Sequence, residues 1–125
     1  MTKPILVLDF DGVIHSYSSG WKGADIIPDP PTEGAMQFLA DATKLFTVAI
    51  FSSRTHQPGG MEAMQKWLSY HARVSDTVLP DWIDLIEWPK EKPPAFLTID
   101  DRALTFTGEW PEAQSLLAFK PWNKR

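Results

Sequence analysis

The sequence predicts an α/β fold whose sheet is mostly parallel. Short apolar segments alternate along the 125-residue chain with segments of helical periodicity, which is the order found in such folds. The apolar segments are hydrophobic at nearly every position, as in strands that are buried on both faces. Three of them are followed directly by polar residues: Asp9 and Asp11, Ser52 and Arg54, and Asp100 and Asp101. Because ligands bind at the carboxyl ends of parallel strands, the same pattern predicts where the functional site lies.

The N-terminal part of the chain is predicted to be one strand followed by a long loop. Residues 4–8 (PILVL) are almost wholly apolar, as in a buried strand. Residues 12–31 are rich in glycine, serine, proline and tryptophan and show no period, which indicates a loop. A small hairpin that pairs residues 13–14 with residues 26–27 is expected within this loop.

Two predicted helices flank the second predicted strand. Residues 32–44 carry an apolar stripe at helical spacing, with Thr32 as the expected N-cap. Residues 45–51 (LFTVAIF) are rich in β-branched and aromatic residues and predict a strand. Residues 61–72 predict the second helix, whose apolar face is formed by Met61, Met64 and Leu68.

The C-terminal part of the chain is predicted to add two full strands, an edge strand and a closing helix. Residues 83–88 and residues 95–99 predict the two strands, and the charged, proline-rich residues 89–94 predict the loop between them. Residues 104–107 predict a short edge strand. Residues 111–119 predict the closing helix, which has a proline near its first turn.

Length and composition indicate one soluble domain spanning residues 1–125. The net charge is −4 and the isoelectric point is about 5.2, so no broad basic surface for nucleic acid is expected. The chain has no cysteine, and its three histidines show no metal-ligand spacing. Disulfides, thiolate nucleophiles and cysteine-ligated zinc are therefore excluded. No apolar run is long enough for a signal peptide or a membrane span, so we expect a cytoplasmic location and no membrane partner.

Four carboxylates follow two of the predicted strands: Asp9, Asp11, Asp100 and Asp101. At one edge of one sheet these groups would repel one another strongly unless a cation lay between them. Magnesium is the natural cation, because it takes oxygen ligands and keeps some of its water. The pattern therefore predicts a metal site with Mg²⁺ as the cofactor.

The order of these segments resembles that of the haloacid dehalogenase (HAD) superfamily. The first motif of that family, an apolar strand followed by Asp-x-Asp-Gly, is matched by LVLDFDGV at residues 6–13. Its second motif ends an apolar strand in Ser or Thr and is matched by VAIFS at residues 48–52. Its fourth motif ends a strand in two acids and is matched by FLTIDD at residues 96–101. The resemblance implies a Rossmann-like, three-layer sandwich and a magnesium-dependent phosphohydrolase.

The resemblance also implies a role for each matched residue. Asp9 would attack phosphorus and carry an aspartyl phosphate, and Asp11 would act as general acid and then as general base. The magnesium ligands would be the Asp9 carboxylate, the Asp11 backbone carbonyl and Asp100. Asp101 would bind the ion directly or lie just outside its ligands. Ser52 would donate a hydrogen bond to a phosphoryl oxygen.

The third motif of the family is a lysine with little sequence around it, and two lysines of this chain could supply it. Lys92 is preferred to Lys90, because Lys92 lies nearer to the strand that carries Asp100. A cation at this position would stabilise the negative charge of Asp9 and of the transferring phosphoryl group.

Two residues that follow Ser52 are predicted to contact the substrate. They are Ser53 and Arg54. The guanidinium fork of Arg54 could clamp a second phosphate or a carboxylate, and a surface salt bridge is the alternative. The acid at Asp11 favours phosphoester hydrolysis, since family members that act on carbon–halogen bonds lack it.

Larger members of the family carry a separate cap domain over the site, and this chain has no room for one. The residues between the matched motifs are used by the predicted helices, strands and loops. An open site would admit a phosphate on a large molecule such as a polynucleotide end, although the net charge does not indicate nucleic acid. The sequence identifies neither the physiological substrate nor the oligomeric state.

Two other functions stay open from the sequence. Receiver modules also combine strand-end acids, magnesium and a lysine, but there the acidic pair ends the first strand and the phosphoacceptor ends the third. A catalytically inert HAD-like protein that binds phosphate, metal or a partner is the other alternative. Turnover of an aryl phosphate with magnesium would separate both from a phosphatase.

Overall fold

Three parallel strands form the sheet of this protein. The computed structural model describes residues 2–74 and 77–124. The strands are β1 (Ile5–Leu8), β2 (Thr47–Ile50) and β3 (Leu97–Ile99), and their spatial order is β2-β1-β3. The predicted α/β class and parallel sheet are confirmed, and the architecture is consistent with a Rossmann-like fold.

The register of the sheet brings the carboxyl ends of all three strands to one edge. Leu8 of β1 is level with Ile50 of β2 and with Ile99 of β3. Asp9 and Asp100, each one residue past its strand, therefore emerge side by side. Strand ends that are distant in the sequence thus form one site, as the sequence predicts.

Two α-helices, α1 (Ala35–Leu45) and α2 (Gly60–Ala72), cover the sheet with their apolar faces. They share one buried cluster with the strands, to which the helices contribute Leu39, Ala42, Met64, Trp67 and Leu68. The predicted N-cap at Thr32 is wrong, because Gly34 occupies that position. The Thr32 hydroxyl instead donates to the Val13 carbonyl at 2.7 Å and ties the helix entry to the loop after β1.

The loop after β1 begins with a tight turn instead of the predicted hairpin. The backbone N–H groups of Val13, Ile14 and His15 all point to the Phe10 carbonyl, at 2.9–3.2 Å. These bonds curl residues 10–15, so residues 13–14 cannot extend as a strand. His15 pairs with Pro31 instead, in an isolated bridge.

The predicted strand at residues 83–88 is wrong over most of its length. Asp81–Leu85 forms a 3₁₀ helix, and only Glu87 joins the sheet, in a bridge beside Ala49 of β2. The apolar residues explain the difference, because Trp82 and Ile83 pack on the core from the 3₁₀ helix and Ile86 is buried in the core directly after it.

The C-terminal segment is less regular than the sequence predicts. Residues 104–107 form no strand, and the expected α-helix at residues 111–119 is a 3₁₀ helix, Ala113–Ala118. Every residue from 102 to 120 is exposed, so the apolar residues of this segment have no core surface that would favour a longer helix. Among the described residues, no helix is both long and apolar enough to cross a membrane.

Candidate active site

A cavity of about 310 Å³ lies at the carboxyl edge of the sheet. Strands β1 and β3, the residues that follow β2 and the loop before β3 contribute to its wall. The lining residues are Val7, Asp9, Phe51, Ser52, Ser53, Lys92, Thr98, Asp100 and Arg102. The structure thus collects in one place residues that three separate sequence motifs predict to work together.

Three carboxylates form a cluster at this edge. Asp9, Asp100 and Asp101 each present an oxygen, and these oxygens lie within 4.8 Å of one another. Burial, followed by the nearby charges of Asp100 and Asp101, raises the pKa of Asp9 to about 7, although a hydrogen bond from the Phe10 N–H opposes the shift. Burial also raises the pKa of Asp101. Three carboxylate oxygens that lie this close together fit a hard divalent cation.

Position 12, in the first motif, requires a glycine because of both its backbone conformation and its surroundings. Its φ of 78° lies in the left-handed region that favours glycine. A Cβ atom at this position would overlap the Asp101 carboxylate. The absence of a side chain therefore lets the fourth motif approach the first.

The Asp11 carboxylate lies outside the acidic cluster and is held by two cationic or polar side chains. Arg54 Nε donates to both carboxylate oxygens, at 2.9 and 3.1 Å, and His15 Nδ1 lies 2.9 Å from Oδ1. Burial acts to raise the pKa of Asp11, but the hydrogen bonds from His15 and Arg54 outweigh it and lower that pKa. The magnesium contact predicted for Asp11 uses its backbone carbonyl, which this side-chain pairing leaves available.

Arg54 is fully buried, which the sequence did not indicate. Its Nη1 group donates to the carbonyls of Gly23, Ala24 and Ile26 at 2.8–3.2 Å, and the Trp21 ring lies 4.7 Å from the guanidinium carbon. Within the described part of the chain, Nη2 has no hydrogen-bond partner. The predicted substrate contact would have to use Nη2, and it stays a prediction. What the structure adds is that Arg54 ties residues 23–26 to Asp11.

His15 is a site residue that sequence reasoning missed. It is fully buried, and its Nε2 accepts a hydrogen bond from the Asp29 backbone N–H at 3.1 Å. As an acceptor, Nε2 carries no proton, so the ring proton is on Nδ1, which donates a hydrogen bond to the Asp11 carboxylate. Its position four residues after Asp11 was visible in the sequence, but a histidine in an irregular loop carries no signal of such a contact.

Ser52 is buried at the floor of the cavity with its hydroxyl oriented by the backbone. Its Oγ accepts a hydrogen bond from the Arg54 N–H at 3.1 Å, and its own N–H donates to Thr55 Oγ1 at 3.1 Å. The hydroxyl proton of Ser52 remains available for a ligand in the cavity. The neighbouring Ser53 is exposed and lines the same cavity.

Two cations line the cavity beside the carboxylates. Lys92 is one of them, and Lys90 is not a lining residue, which favours the predicted choice between the two lysines. Arg102 is the other cation and is the second residue that sequence reasoning missed. It directly follows the acidic pair, but a loop arginine beside two acids is equally typical of a solvated ion pair.

Replacing Arg54 is expected to destabilise the fold. Arg54→Gln would leave the mostly buried Asp11 carboxylate and three backbone carbonyls without their donor. We expect a loss of about 3 kcal/mol in the free energy of unfolding, measured by urea denaturation. Arg73→Gln, at the exposed end of α2, is the matched control and should change it by less than about 0.5 kcal/mol. Equal effects of the two substitutions would contradict the assigned role of Arg54.

Comparison of the whole chain with protein-family models, with curated proteins and with solved structures finds no match. The case for a function therefore depends on the residues and geometry of the site itself.

Proposed function

We propose that this protein is a magnesium-dependent phosphomonoester hydrolase of the HAD type, with a capless, three-layer Rossmann-like fold. The observation that carries the proposal is the cluster of Asp9, Asp100 and Asp101. Two of its members, Asp9 and Asp100, line a cavity that a buried serine and a lysine also line. A nucleophile, a metal site, a hydrogen-bond donor and a cation are the parts that phosphoryl transfer requires.

Magnesium would be held by the carboxylates of Asp9, Asp100 and Asp101, together with the Asp11 backbone carbonyl that the family resemblance implies. When bound, the ion supplies positive charge that lets a carboxylate approach a phosphate dianion. The electrostatics of the site support this requirement. Burial and the neighbouring acids raise the pKa of Asp9 to about 7, which favours the protonated carboxyl, and a protonated carboxyl is not a nucleophile.

Asp9 forms the covalent intermediate in the proposed reaction. One of its oxygens attacks phosphorus, the bond from phosphorus to the leaving oxygen breaks, and an acyl phosphate forms on Asp9. Water then attacks the phosphorus of this intermediate, which releases inorganic phosphate and restores the carboxylate. Splitting the hydrolysis in this way replaces one difficult step by two easier ones.

Asp11 handles the protons of both steps. It gives a proton to the leaving oxygen and later takes one from the attacking water. Arg54 and His15 hold it as a carboxylate, which is the form that the second step needs. Because the pKa of Asp11 is lowered, its carboxyl group is seldom protonated, and the first step needs that proton. Aryl esters, whose leaving groups need little protonation, are therefore the substrates of choice for a first assay.

The remaining lining residues stabilise the phosphoryl group. Ser52 donates its hydroxyl proton to a phosphoryl oxygen, and Lys92 places positive charge beside Asp9 and the transferring group. Three carboxylates and a phosphate dianion carry more negative charge than one magnesium ion and one lysine can neutralise. Arg102 supplies a further positive charge at the same cavity.

The proposed substrate is a phosphate on a molecule larger than the cavity. Between β1 and β2 the chain forms a loop and α1, and between β2 and β3 it forms α2 and a short 3₁₀ helix. Among the described residues, these segments form no separate cap domain. A cavity of about 310 Å³ with an open mouth can accept the end of a polymer such as a polynucleotide.

The proposal is tested by the turnover of an aryl phosphate with and without magnesium. Hydrolysis is expected with Mg²⁺ and should stop in excess chelator, then return when Mg²⁺ is added back. Undiminished turnover after exhaustive chelation would exclude the metal site. No turnover with aryl phosphates, nucleotides, sugar phosphates or 5′- and 3′-phosphorylated oligonucleotides would favour the inert, interaction-module alternative.

A further inference from the structure

The last described residues of the chain lie against the loop that follows β1. Residues 121–124, here called the C-terminal tail, begin with the buried Pro121, although residues 102–120 before it are all exposed. The indole N–H of Trp122 donates to the Gly12 carbonyl at 2.7 Å. The side-chain amide of Asn123 donates to the Ser16 carbonyl at 3.3 Å. Two hydrogen bonds thus join the C-terminal tail to the loop that follows β1.

Of these two hydrogen bonds, the one to the Gly12 carbonyl has the greater effect on the conformation of the site. Glycine has the least restricted backbone, and Gly12 directly follows Asp11. The Gly12 N–H donates to the His15 carbonyl at 2.8 Å and fixes the peptide plane that contains the Asp11 carbonyl. The Trp122 bond holds the next peptide plane at its carbonyl, and the bond from the Val13 N–H to the Phe10 carbonyl holds the other side of that plane. With both planes held, Gly12 keeps the left-handed conformation that lets Asp101 approach.

We propose that the C-terminal tail is a positioning element of the active site, in which Trp122 holds the Gly12 carbonyl and thereby the backbone of Asp11. The inference rests on the proposed function, since it assigns the tail to the binding of magnesium and to the placement of the general acid. Trp122 touches neither the substrate nor the metal in this role. It acts through the peptide on which the Asp11 carbonyl and carboxylate depend.

Because Trp122 is largely exposed, a positioning role for it can be distinguished from a merely structural one. The side chain is 53% exposed, so it adds little to the core and its removal should cost little global stability. Its effect should instead be local, at the peptide planes on either side of Gly12.

The test compares Trp122→Phe with Trp110→Phe. The first keeps an aromatic ring and removes only the donor to Gly12, and the second makes the same chemical change at a residue that is 86% exposed in the preceding segment. We expect Trp122→Phe to raise the magnesium concentration for half-maximal turnover of an aryl phosphate and to lower kcat, each by about three- to tenfold, which is the range for one lost hydrogen bond. KM for the ester at saturating magnesium should not change, and Trp110→Phe should match the wild type.

Amide hydrogen exchange gives a readout that does not need turnover. The Val13 N–H belongs to the peptide plane that Trp122 holds, so Gly12 and Val13 should exchange faster in Trp122→Phe, while the melting temperature stays that of Trp110→Phe. Exchange and magnesium dependence equal to those of the control would overturn the proposal. A loss of activity matched by an equal loss of global stability would also overturn it, since the tail would then be structural only.

The outcome for the tail can be separated from the outcome for the proposed function. If the wild type hydrolyses no phosphate ester, the proposed function fails. Exchange at Gly12 and calorimetric titration with Mg²⁺ alone still decide whether Trp122 orders the loop. If Trp122→Phe does not fold, Asn123→Ala removes the other bond of the tail. Faster exchange from Gly12 to Ser16 in that variant would support the proposal, and unchanged exchange would overturn it.

Discussion

Asp9→Asn is expected to abolish phosphomonoester hydrolysis while the protein stays folded. An amide is a poor nucleophile, so the covalent intermediate cannot form. We expect a loss of at least about a thousandfold in kcat, or roughly 4 kcal/mol of barrier, with an aryl phosphate at saturating magnesium. Residual activity within about tenfold of the wild type would show that another residue is the nucleophile.

The same substitution is expected to stabilise the protein when magnesium is absent. The pKa of Asp9 is about 7 in the folded state, above its ordinary value of 3.8, so the folded state binds this proton more tightly than the unfolded state does. Stability should therefore fall as the pH rises from about 4 to about 7 in the wild type, and Asp9→Asn should remove that fall. At pH 8 in chelator we expect the variant to be more stable by on the order of 1–2 kcal/mol. A wild-type stability that does not change between these pH values would contradict the crowding of the acids.

Lys92→Ala is expected to cost far more activity than Lys90→Ala. Lys92 lines the cavity that holds Asp9 and Ser52, and Lys90 does not, although the two lysines are only two residues apart. A preorganised cation beside the transferring phosphoryl group stabilises charge that develops in the transition state. We expect a loss of about a hundredfold or more in kcat for Lys92→Ala, measured with an aryl phosphate.

Lys90→Ala is the matched control for this measurement and should retain nearly wild-type activity. A crippled Lys90→Ala together with an active Lys92→Ala would show that the third motif is displaced by two residues. If neither variant is impaired, the required cation is one that the sequence did not assign to this role, and Arg102 would be the first to replace, since it lines the same cavity.

The sequence predicts the strands best where an uninterrupted apolar segment alone determines the secondary structure. Residues 4–8 and 45–51 are apolar at almost every position, and both contain strands close to the predicted bounds. Parallel pairing then places the acids of the first and last motifs together, because strand ends of one direction meet at one edge. The acidic cluster was therefore accessible from the sequence without any knowledge of long-range contacts.

Short apolar segments with two possible periodicities were not predictable in the same way. Residues 83–88 contain enough apolar side chains for a buried strand. Trp82 and Ile83 pack on the core from a 3₁₀ helix instead, and Ile86 is buried directly after that helix. In the loop after β1, three backbone N–H groups donate to the Phe10 carbonyl, and no local residue pattern predicts these hydrogen bonds. Both cases show tertiary contacts overriding weak local preferences.

The environment of Asp11 depends on contacts between residues that are far apart in the sequence. Arg54 lies 43 residues from Asp11, and Trp122 lies 110 residues from Gly12. From the sequence alone, Arg54 would be interpreted as a surface charge and Trp122 as an ordinary apolar side chain. Only the folded geometry shows that Arg54 binds the Asp11 carboxylate and that Trp122 binds the carbonyl of the neighbouring Gly12.

Chemical trapping of the covalent intermediate on Asp9 would test the proposed hydrolase directly. The protein would be mixed with magnesium and an aryl phosphate, quenched in acid and reduced with borohydride, which converts an acyl phosphate to an alcohol. We expect homoserine at position 9, located by peptide mass spectrometry, only in samples that received both magnesium and substrate. Steady turnover without any modified aspartate, or homoserine at another position, would contradict this expectation.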